Sequence, residues 1–585
     1  MVRKLRLWGE RRQTSTAPHD SDRHLLFLIL ILLLALALRL WNIDHAVWRY
    51  ADEQNVIDRA LLLGHLGLNP GWFIYPSLFL YVLFVSYGLF YVIGGLLGFF
   101  ASPTEFASFY FANPLAFYLA GRGIAIACGL ACLVATYWVG RERWGVDVGL
   151  AAAGFLAVSP SYLSASRFVK PDILMALLFL LAVLAVLRYL NAGRNVWLWS
   201  ASLLVGFAAS TKYLAAMGVL LLVLAPLIRR RSLMTIAESA LAVSLAGVGF
   251  VVGSPFAVID WETFLASFAE VASYMNRSWY GAEDQTSGYM FYLFQLFPRA
   301  LGWPATLIGL VGLVRWLFRG GTQERLLTGF VVSFYLWMGY SRITSDLYIL
   351  IIIPVLMLAG VDILKAALVR LRSTHPALFP WILCSVITVC ILPPFILSVR
   401  ETLLLKARDT RELTVAWFVE HLPPGTRILS EPGGPLLPRT AGRLQEIIVE
   451  EKQRRPGMGM RLQFELEEAK SREGFWYYEI PLFSDRYLSQ PAHKEYDLDK
   501  FLTQGYRIVV LSSSAYGRYR RFPERYPIPN AFFERVVREG VQLASFGPST
   551  PWCCPQTLNA RLSEAAAEIW GRPGPTLLIY RLPDK

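Results

Sequence analysis

Charge is what this sequence has little of. Asp, Glu, Lys and Arg supply 17% of its 585 residues, against 55% hydrophobic, where a soluble chain carries about a quarter charged. So sparse a charge excludes an ordinary water-soluble globule and leaves lipid as the solvent for much of the surface. Cysteine is scarce as well. Cys128, Cys132, Cys384 and Cys390 lie in apolar runs and read as small core residues. Cys553 and Cys554 are adjacent, a poor spacing for a metal site and a strained one for a disulfide. No HExxH, P-loop or GxGxxG stretch occurs, so metalloprotease, nucleotide hydrolase and dinucleotide-binding readings lack support.

What is present is a series of apolar runs of spanning length, the first at 25–41, recurring as far as Leu397. After Arg400 charges, Pro and Gly become frequent and no run could span. The expected organisation is a cytoplasmic segment 1–23, a multi-pass region 24–400 and an extracytoplasmic soluble α/β domain 401–585. The fold class expected is a membrane all-α bundle of about 11–13 transmembrane helices. A basic leader (Arg3, Lys4, Arg6, Arg11, Arg12, Arg23) precedes the first run. That run is long for a signal sequence, and Leu38-Arg39-Leu40-Trp41 is not a small-residue cleavage site, so an uncleaved helix is expected.

The formal charge of +13 sits mainly in short loops, where it orients a membrane chain rather than binding nucleic acid. Arg141 and Arg143, Arg188 and Arg194, Arg229–Arg231, Arg315, Arg319 and Arg325, and Lys365, Arg370 and Arg372 are expected on the cytoplasmic face. Helices are expected between them at 117–139, 146–164, 172–190, 196–212, 213–228, 238–256, 301–318, 326–341, 347–365 and 379–399. The segments 166–172, 260–299 and 341–346 then share the outer face with Asp52 and Glu53. Residues 76–100 break the count, because one crossing there would invert every later loop. They are expected to be re-entrant, to lie along the interface, or to return through 101–116.

Asp52 and Glu53 stand just past the first helix and lead an amphipathic stretch, 54–66, toward Phe73-Ile-Tyr75-Pro76-Ser77. Acidic residues near lipid are costly unless solvated, paired or functional, though Asp52 could simply cap the following helix. Two more stretches stand out. One is Ser159-Pro160-Ser-Tyr162-Leu-Ser-Ala-Ser-Arg167-Phe-Val-Lys170-Pro171-Asp172; the other is Gly206-Phe-Ala-Ala-Ser-Thr211-Lys212-Tyr213. In this order, on a multi-spanning chain, the three resemble the dolichyl-phosphate-mannose protein mannosyltransferase group and the lipid A aminoarabinose transferases, within the GT-C glycosyltransferase fold. Asp409-Thr-Arg411…Trp417…Pro423-Pro-Gly425 is similar to the outer domains of bacterial members. One departure is that Tyr75-Pro76-Ser77 stands where the group usually has His-Pro-Pro, so any role of that His is absent.

The resemblance implies transfer of a sugar from a polyprenyl-phosphate donor to a glycan, lipid or protein acceptor on the outer face, inverting the anomeric centre. Such chemistry needs a carboxylate base near the acceptor hydroxyl and cations around the departing phosphate. The expected catalytic residues are Asp52 and Glu53. The expected substrate contacts are Asp172, Lys212, Arg167, Lys170, Arg342, Tyr75 and Tyr213, with Tyr348 and the aromatic loop 260–299 (Tyr274, Trp279, Tyr280, Tyr289, Tyr292) nearby. No cofactor and no metal ligands are assigned, although dependence on a divalent metal stays open. Each residue also has a plain structural use. Lys212 needs a partner or a snorkelling route in its apolar stretch, Arg167 and Lys170 could anchor a helix at headgroups, Asp172 suits a first helical turn after Pro171, and Arg342 could pair with Asp346. Asn276-Arg277-Ser278 fits a glycosylation sequon, a triplet common by chance.

In the outer domain a helix is expected at 411–421, strands at 427–430, 506–511, 541–546 and 576–582, and a helix at 532–539. No catalytic constellation appears there, which suits a cover over the membrane site, an acceptor selector or a partner module. A transporter or flippase of lipid-linked intermediates is the rival reading, but no internal repeat is evident and the candidate residues sit at the membrane edge rather than the middle. A non-catalytic scaffold with a partner-binding outer domain is the third.

Overall fold

A computed structural model describes residues 18–46, 51–229, 233–275, 288–454, 459–481, 495–550 and 557–584. Arg3, Lys4, Arg6, Arg11, Arg12, Arg230, Arg231, Asn276–Ser278, Trp279, Tyr280, Cys553 and Cys554, singled out above, lie outside the described residues. The chain is a helical bundle with a C-terminal α/β domain. Its helices in order are α1 (Pro18–Leu40), α2 (Ala51–Leu62), α3 (Leu78–Leu96), α4 (Pro103–Ala112), α5 (Pro114–Trp144), α6 (Val146–Ala157), α7 (Pro160–Ala165), α8 (Asp172–Ala192), α9 (Asn195–Ala209), α10 (Val219–Arg229), α11 (Leu233–Gly253), α12 (Trp261–Met275), α13 (Trp303–Arg319), α14 (Thr322–Tyr340), α15 (Ile353–Thr374) and α16 (Phe379–Leu404).

Among the described residues six helices are long and apolar enough to cross a membrane: α1, α3, α5, α8, α11 and α16. A seventh span results if Gly288–Leu301 and α13, bent by 116°, count as one. Shorter apolar helices, among them Val146–Ala157, Asn195–Ala209 and Tyr213–Arg229, accompany these long ones in the bundle. Local chemistry interrupts several runs. The run at 146–164 ends at Ala157, because Pro160 has no N–H to continue the ladder, and resumes as the six-residue α7. The run at 196–212 ends at Ala209 before Lys212, and a 3₁₀ turn, Tyr213–Gly218, precedes α10. At 1.5 Å rise per residue α6 is about 18 Å long, short of a hydrocarbon core of about 30 Å. These broken ends leave irregular backbone at one end of the bundle, which is tolerated only where protein or water satisfies it.

The basic loops do share one end. Trp144 stacks on Trp316 at 4.6 Å, Arg143 pairs with Glu324 at 2.8 Å, Arg315 with Asp362 at 2.5 Å, and Arg188 with Glu142. At the opposite end Arg122, near the start of α5, reaches the backbone just beyond α1, bonding the carbonyls of Ile43 and His45 at 2.6 and 3.1 Å. Contacts from the start and the middle of α3 lie there too. Ser77 N–H donates to Ser254 Oγ at 3.2 Å where α3 begins, while Tyr87 and Phe90 pack on Phe117 in the first turn of α5. The 10-residue α4 is too short for a return pass.

Small residues bring the long helices together, as in membrane bundles generally. A Cβ on Gly206 of α9 would fall 2.1 Å from Ala246 O of α11, and one on Gly312 of α13 would fall 2.3 Å from Ala359 O of α15. Cys132 and Cys390 are buried and Cys128 half-buried as expected, but Cys384 is exposed on α16.

The C-terminal domain holds α17 (Thr410–His421), β1 (Arg427–Ser430), α18 (Ala441–Arg454), α19 (Gly459–Ala469), β2 (Trp476–Glu479), β3 (Ile508–Ser512), α20 (Pro527–Glu539), β4 (Val541–Phe546), α21 (Leu558–Trp570) and β5 (Leu577–Arg581). One five-stranded sheet runs β2-β1-β3-β5-β4, parallel across its first three strands and antiparallel beyond. The domain rests on the end opposite the basic loops. Phe464 of α19 meets Phe111 of α4 at 5.5 Å, and Asn559 of α21 bonds Trp41 Nε1 and Asn42 at 3.1 and 2.6 Å.

Candidate active site

Asp52 and Glu53 occupy the first turn of α2, where carboxylates complement the helix dipole. Neighbours on a helix point about 100° apart, so one of the two turns inward. Glu53 is fully buried. It takes both Nε and Nη2 of the buried Arg122 at 3.0 and 2.8 Å, and Val169 N–H at 2.9 Å. His45 Nε2 is 4.0 Å away. A buried carboxylate held by two charge-assisted bonds and a backbone donor is a latch. It ties the α1–α2 loop, α5 and the segment before α8 together, and its described contacts are to the protein itself.

Asp52 faces the other way. Its side chain keeps 53% of its exposure and accepts from Lys170 Nζ at 2.8 Å. Burial alone would lower the Lys170 pKa, but Asp52, Asp172 and Glu53 around it raise it overall. Two residues on, Asp172 opens α8, is buried, and is ion-paired with Lys212. The second Asp172 oxygen, Oδ2, is buried with no hydrogen-bond partner. The Lys212 ammonium also lies 4.7 Å from the Tyr348 ring and 5.7 Å from that of Tyr75, distances at which an aromatic face stabilises a cation. Lys212 sits where α9 gives way to the 3₁₀ turn, so the helix break places it.

The result is two acid–ammonium pairs side by side, Asp52–Lys170 and Asp172–Lys212, at the mouth of an apolar bundle. Tyr75 and Tyr348 wall the second pair. An anion entering here would meet two lysines, and a hydroxyl would meet the half-exposed Asp52.

Three expected site residues are not brought together with this cluster. The Arg167 guanidinium bonds Leu38 O, Trp41 O (3.4 Å) and Thr402 Oγ1 (2.7 Å), fastening α1 to α16. Tyr213 donates to Phe73 O at 2.7 Å and packs on Phe268, fixing the Phe73–Tyr75 segment from behind. Arg342 is exposed and, among the described residues, makes no ion pair. Its expected partner Asp346 instead accepts from Ser161 Oγ at 3.2 Å. Sequence reasoning missed Arg122 and His45. An arginine inside the apolar run 117–139 was itself a signal, since such a charge is retained only with a partner.

The donor set does not fit a resident divalent cation. Each site carboxylate already faces an ammonium, and among the described residues no three His, Cys, Asp or Glu side chains converge.

A family model described as dolichyl-phosphate-mannose-protein mannosyltransferase matches residues 118–259, a stretch holding Arg122, Lys170, Asp172 and Lys212 but not Asp52. No curated protein matches the sequence. The fold is similar to the archaeal oligosaccharyltransferase AglB from Archaeoglobus fulgidus, solved with an inhibitory peptide and a dolichol-phosphate, at TM-score 0.50 and 12% identity, covering 94% of this chain and 78% of that one. The apo form of the A. fulgidus enzyme gives the same TM-score over 96% and 76%. ArnT from Cupriavidus metallidurans, bound to undecaprenyl phosphate, matches at TM-score 0.48 and 16% identity over 86% and 95%. The chain is an integral membrane protein of GT-C-like fold.

Proposed function

We propose that this chain is a membrane glycosyltransferase. On this reading it takes a sugar from a polyprenyl-phosphate donor and passes it to an acceptor hydroxyl at the membrane face under the C-terminal domain, which is the extracytoplasmic face. The observation that carries the proposal is the paired cluster: an accessible carboxylate, Asp52, beside two lysines at one end of an apolar helical bundle. The mannosyltransferase family model over 118–259 and the dolichol-phosphate held by the similarly folded AglB support the donor class.

Asp52 removes the acceptor proton as that oxygen attacks the anomeric carbon from the side opposite the phosphate. The sugar–phosphate bond breaks, the electron pair leaves with the phosphate oxygen, and the anomeric centre inverts. Negative charge grows on the phosphate, where Lys170 and Lys212 stabilise it. Asp172 and the two tyrosine rings hold the Lys212 ammonium in place beforehand, so little reorganisation is required. Asp52 then releases its proton to water, to which it is open. Which sugar moves and which acceptor takes it are set by surfaces beyond these side chains.

The test is loss of a radiolabelled polyprenyl-phosphate hexose in vesicles carrying either the natural protein or Asp52→Asn. The proposal expects turnover by the first and at least about 100-fold less by the second, the scale of a lost general base. Equal turnover by both removes Asp52 from the mechanism.

A further inference from the structure

Asp58 lies six residues beyond Asp52 on α2, partly buried, and its partners come from two different bodies. Tyr110 of α4 donates to Asp58 Oδ1 at 2.5 Å, and the Gln54 amide oxygen, also on α2, accepts from Arg461 Nη2 at 3.1 Å. Arg461 of α19, in the C-terminal domain, places Nη1 3.8 Å from Asp58 Oδ2. Burial raises the Asp58 pKa against the lowering pull of Tyr110 and Arg461. Arg461 is braced in turn by Glu465 at 3.2 Å, and Glu465 by Arg439 at 3.6 Å. Arg439 itself bridges to Phe475, beside β2. A line of alternating charges therefore runs from α2 to the edge of the C-terminal sheet. The Phe111–Phe464 contact lies alongside it.

One end of α2 is latched through Glu53 to Arg122. A rod held at one point can still swing. Six residues of helix span about 9 Å, so a second hold at Asp58 fixes the direction of the axis and with it the aim of Asp52. Errors of about 1 Å in such an aim cost about 100-fold in rate. We infer that Arg461 is a positioning residue: the C-terminal domain, through Arg461 and Asp58, orients the helix that presents the base. This rests on the reading of Asp52 given above. It also assigns the outer domain a part in catalysis, because an acceptor that shifts α19 moves Asp52 with it.

The experiment uses the full chain in lipid nanodiscs, comparing the natural protein, Arg461→Ala, Arg461→Lys, the charge swap Asp58→Arg/Arg461→Asp, and Asp52→Asn. Amide hydrogen exchange over 51–62 is read first, because it needs no substrate. The inference expects exchange at least about fivefold faster in Arg461→Ala, recovery in Arg461→Lys and in the swap, and unchanged exchange in α8 and α15. Turnover of undecaprenyl-phosphate mannose is read second. It expects about tenfold lower kcat in Arg461→Ala with the donor KM unchanged. Exchange over 51–62 identical in the natural protein and Arg461→Ala overturns the inference. Faster exchange together with full turnover by Asp52→Asn keeps the tether but removes the base it was meant to aim.

Discussion

At the scale of single residues, the site rests on adjacent carboxylates with opposite fates. Glu53 is buried against Arg122, and removing one member of such a pair leaves an uncompensated buried charge costing about 3–5 kcal/mol. Arg122→Ala should therefore lower the thermal midpoint in detergent sharply, and Glu53→Gln/Arg122→Met should lose much less. Equal losses would mean the pair is not the latch described. The double change Lys212→Met/Asp172→Asn should weaken donor handling far more than stability, because it removes both charges of the buried pair and leaves a stem of similar shape beside Tyr75 and Tyr348. The check is donor turnover against melting temperature in one preparation. In the outer domain, burial pushes the Glu431 carboxyl up to about 8. A carboxyl that stays protonated when folded but ionises when unfolded contributes stability that is present in acid and lost as pH rises toward 8. Glu431→Gln should flatten that fall between pH 4.5 and 8 in a pH series of thermal melts.

At the scale of elements, helix contacts depend on side chains that are absent. Gly206→Val would drive a side chain into the α11 backbone and should cost about 1–3 kcal/mol. Gly247→Ala on α11 meets nothing within 4 Å and should cost nothing; thermal melts of the two variants decide. Elements were also what the sequence disclosed unevenly. The strands β1 and β4 and the helix after Asp409 were legible, because turn residues and an Asp cap bracket short runs of clear pattern. Trp476–Glu479 was not, since four residues with no alternation carry no period. The broken spans were missed for a different reason. Hydropathy sums over Ser159-Pro160 and over Thr211-Lys212 without registering that these residues end helices.

The candidate site divides the same way. Asp52, Lys170, Asp172 and Lys212 were legible as charges that lipid does not tolerate idly. That Glu53 and Arg167 face inward was not, because burial of one neighbour and exposure of the next depends on the rotation of α2 and of the α7–α8 segment. Arg461 and Asp58 stand about 400 residues apart in the chain, and only the docking of the C-terminal domain makes them neighbours.

At the scale of the whole molecule, the basic loops gather at one end of the bundle and the paired lysines and carboxylates at the other. Single cysteines placed at Arg319 and at Asn55 in a cysteine-free background should react with an impermeant maleimide from opposite sides of sealed vesicles. Labelling from the same side would contradict the topology.

The central claim is that Asp52 is the base of a sugar transfer from a lipid phosphate, and the vesicle assay with Asp52→Asn tests it most directly. The account predicts that labelled donor disappears with the natural protein and persists with the variant, while both bind the donor lipid and melt alike. Equal consumption by the two would contradict it, as would donor that crosses the membrane intact with neither protein cleaving it.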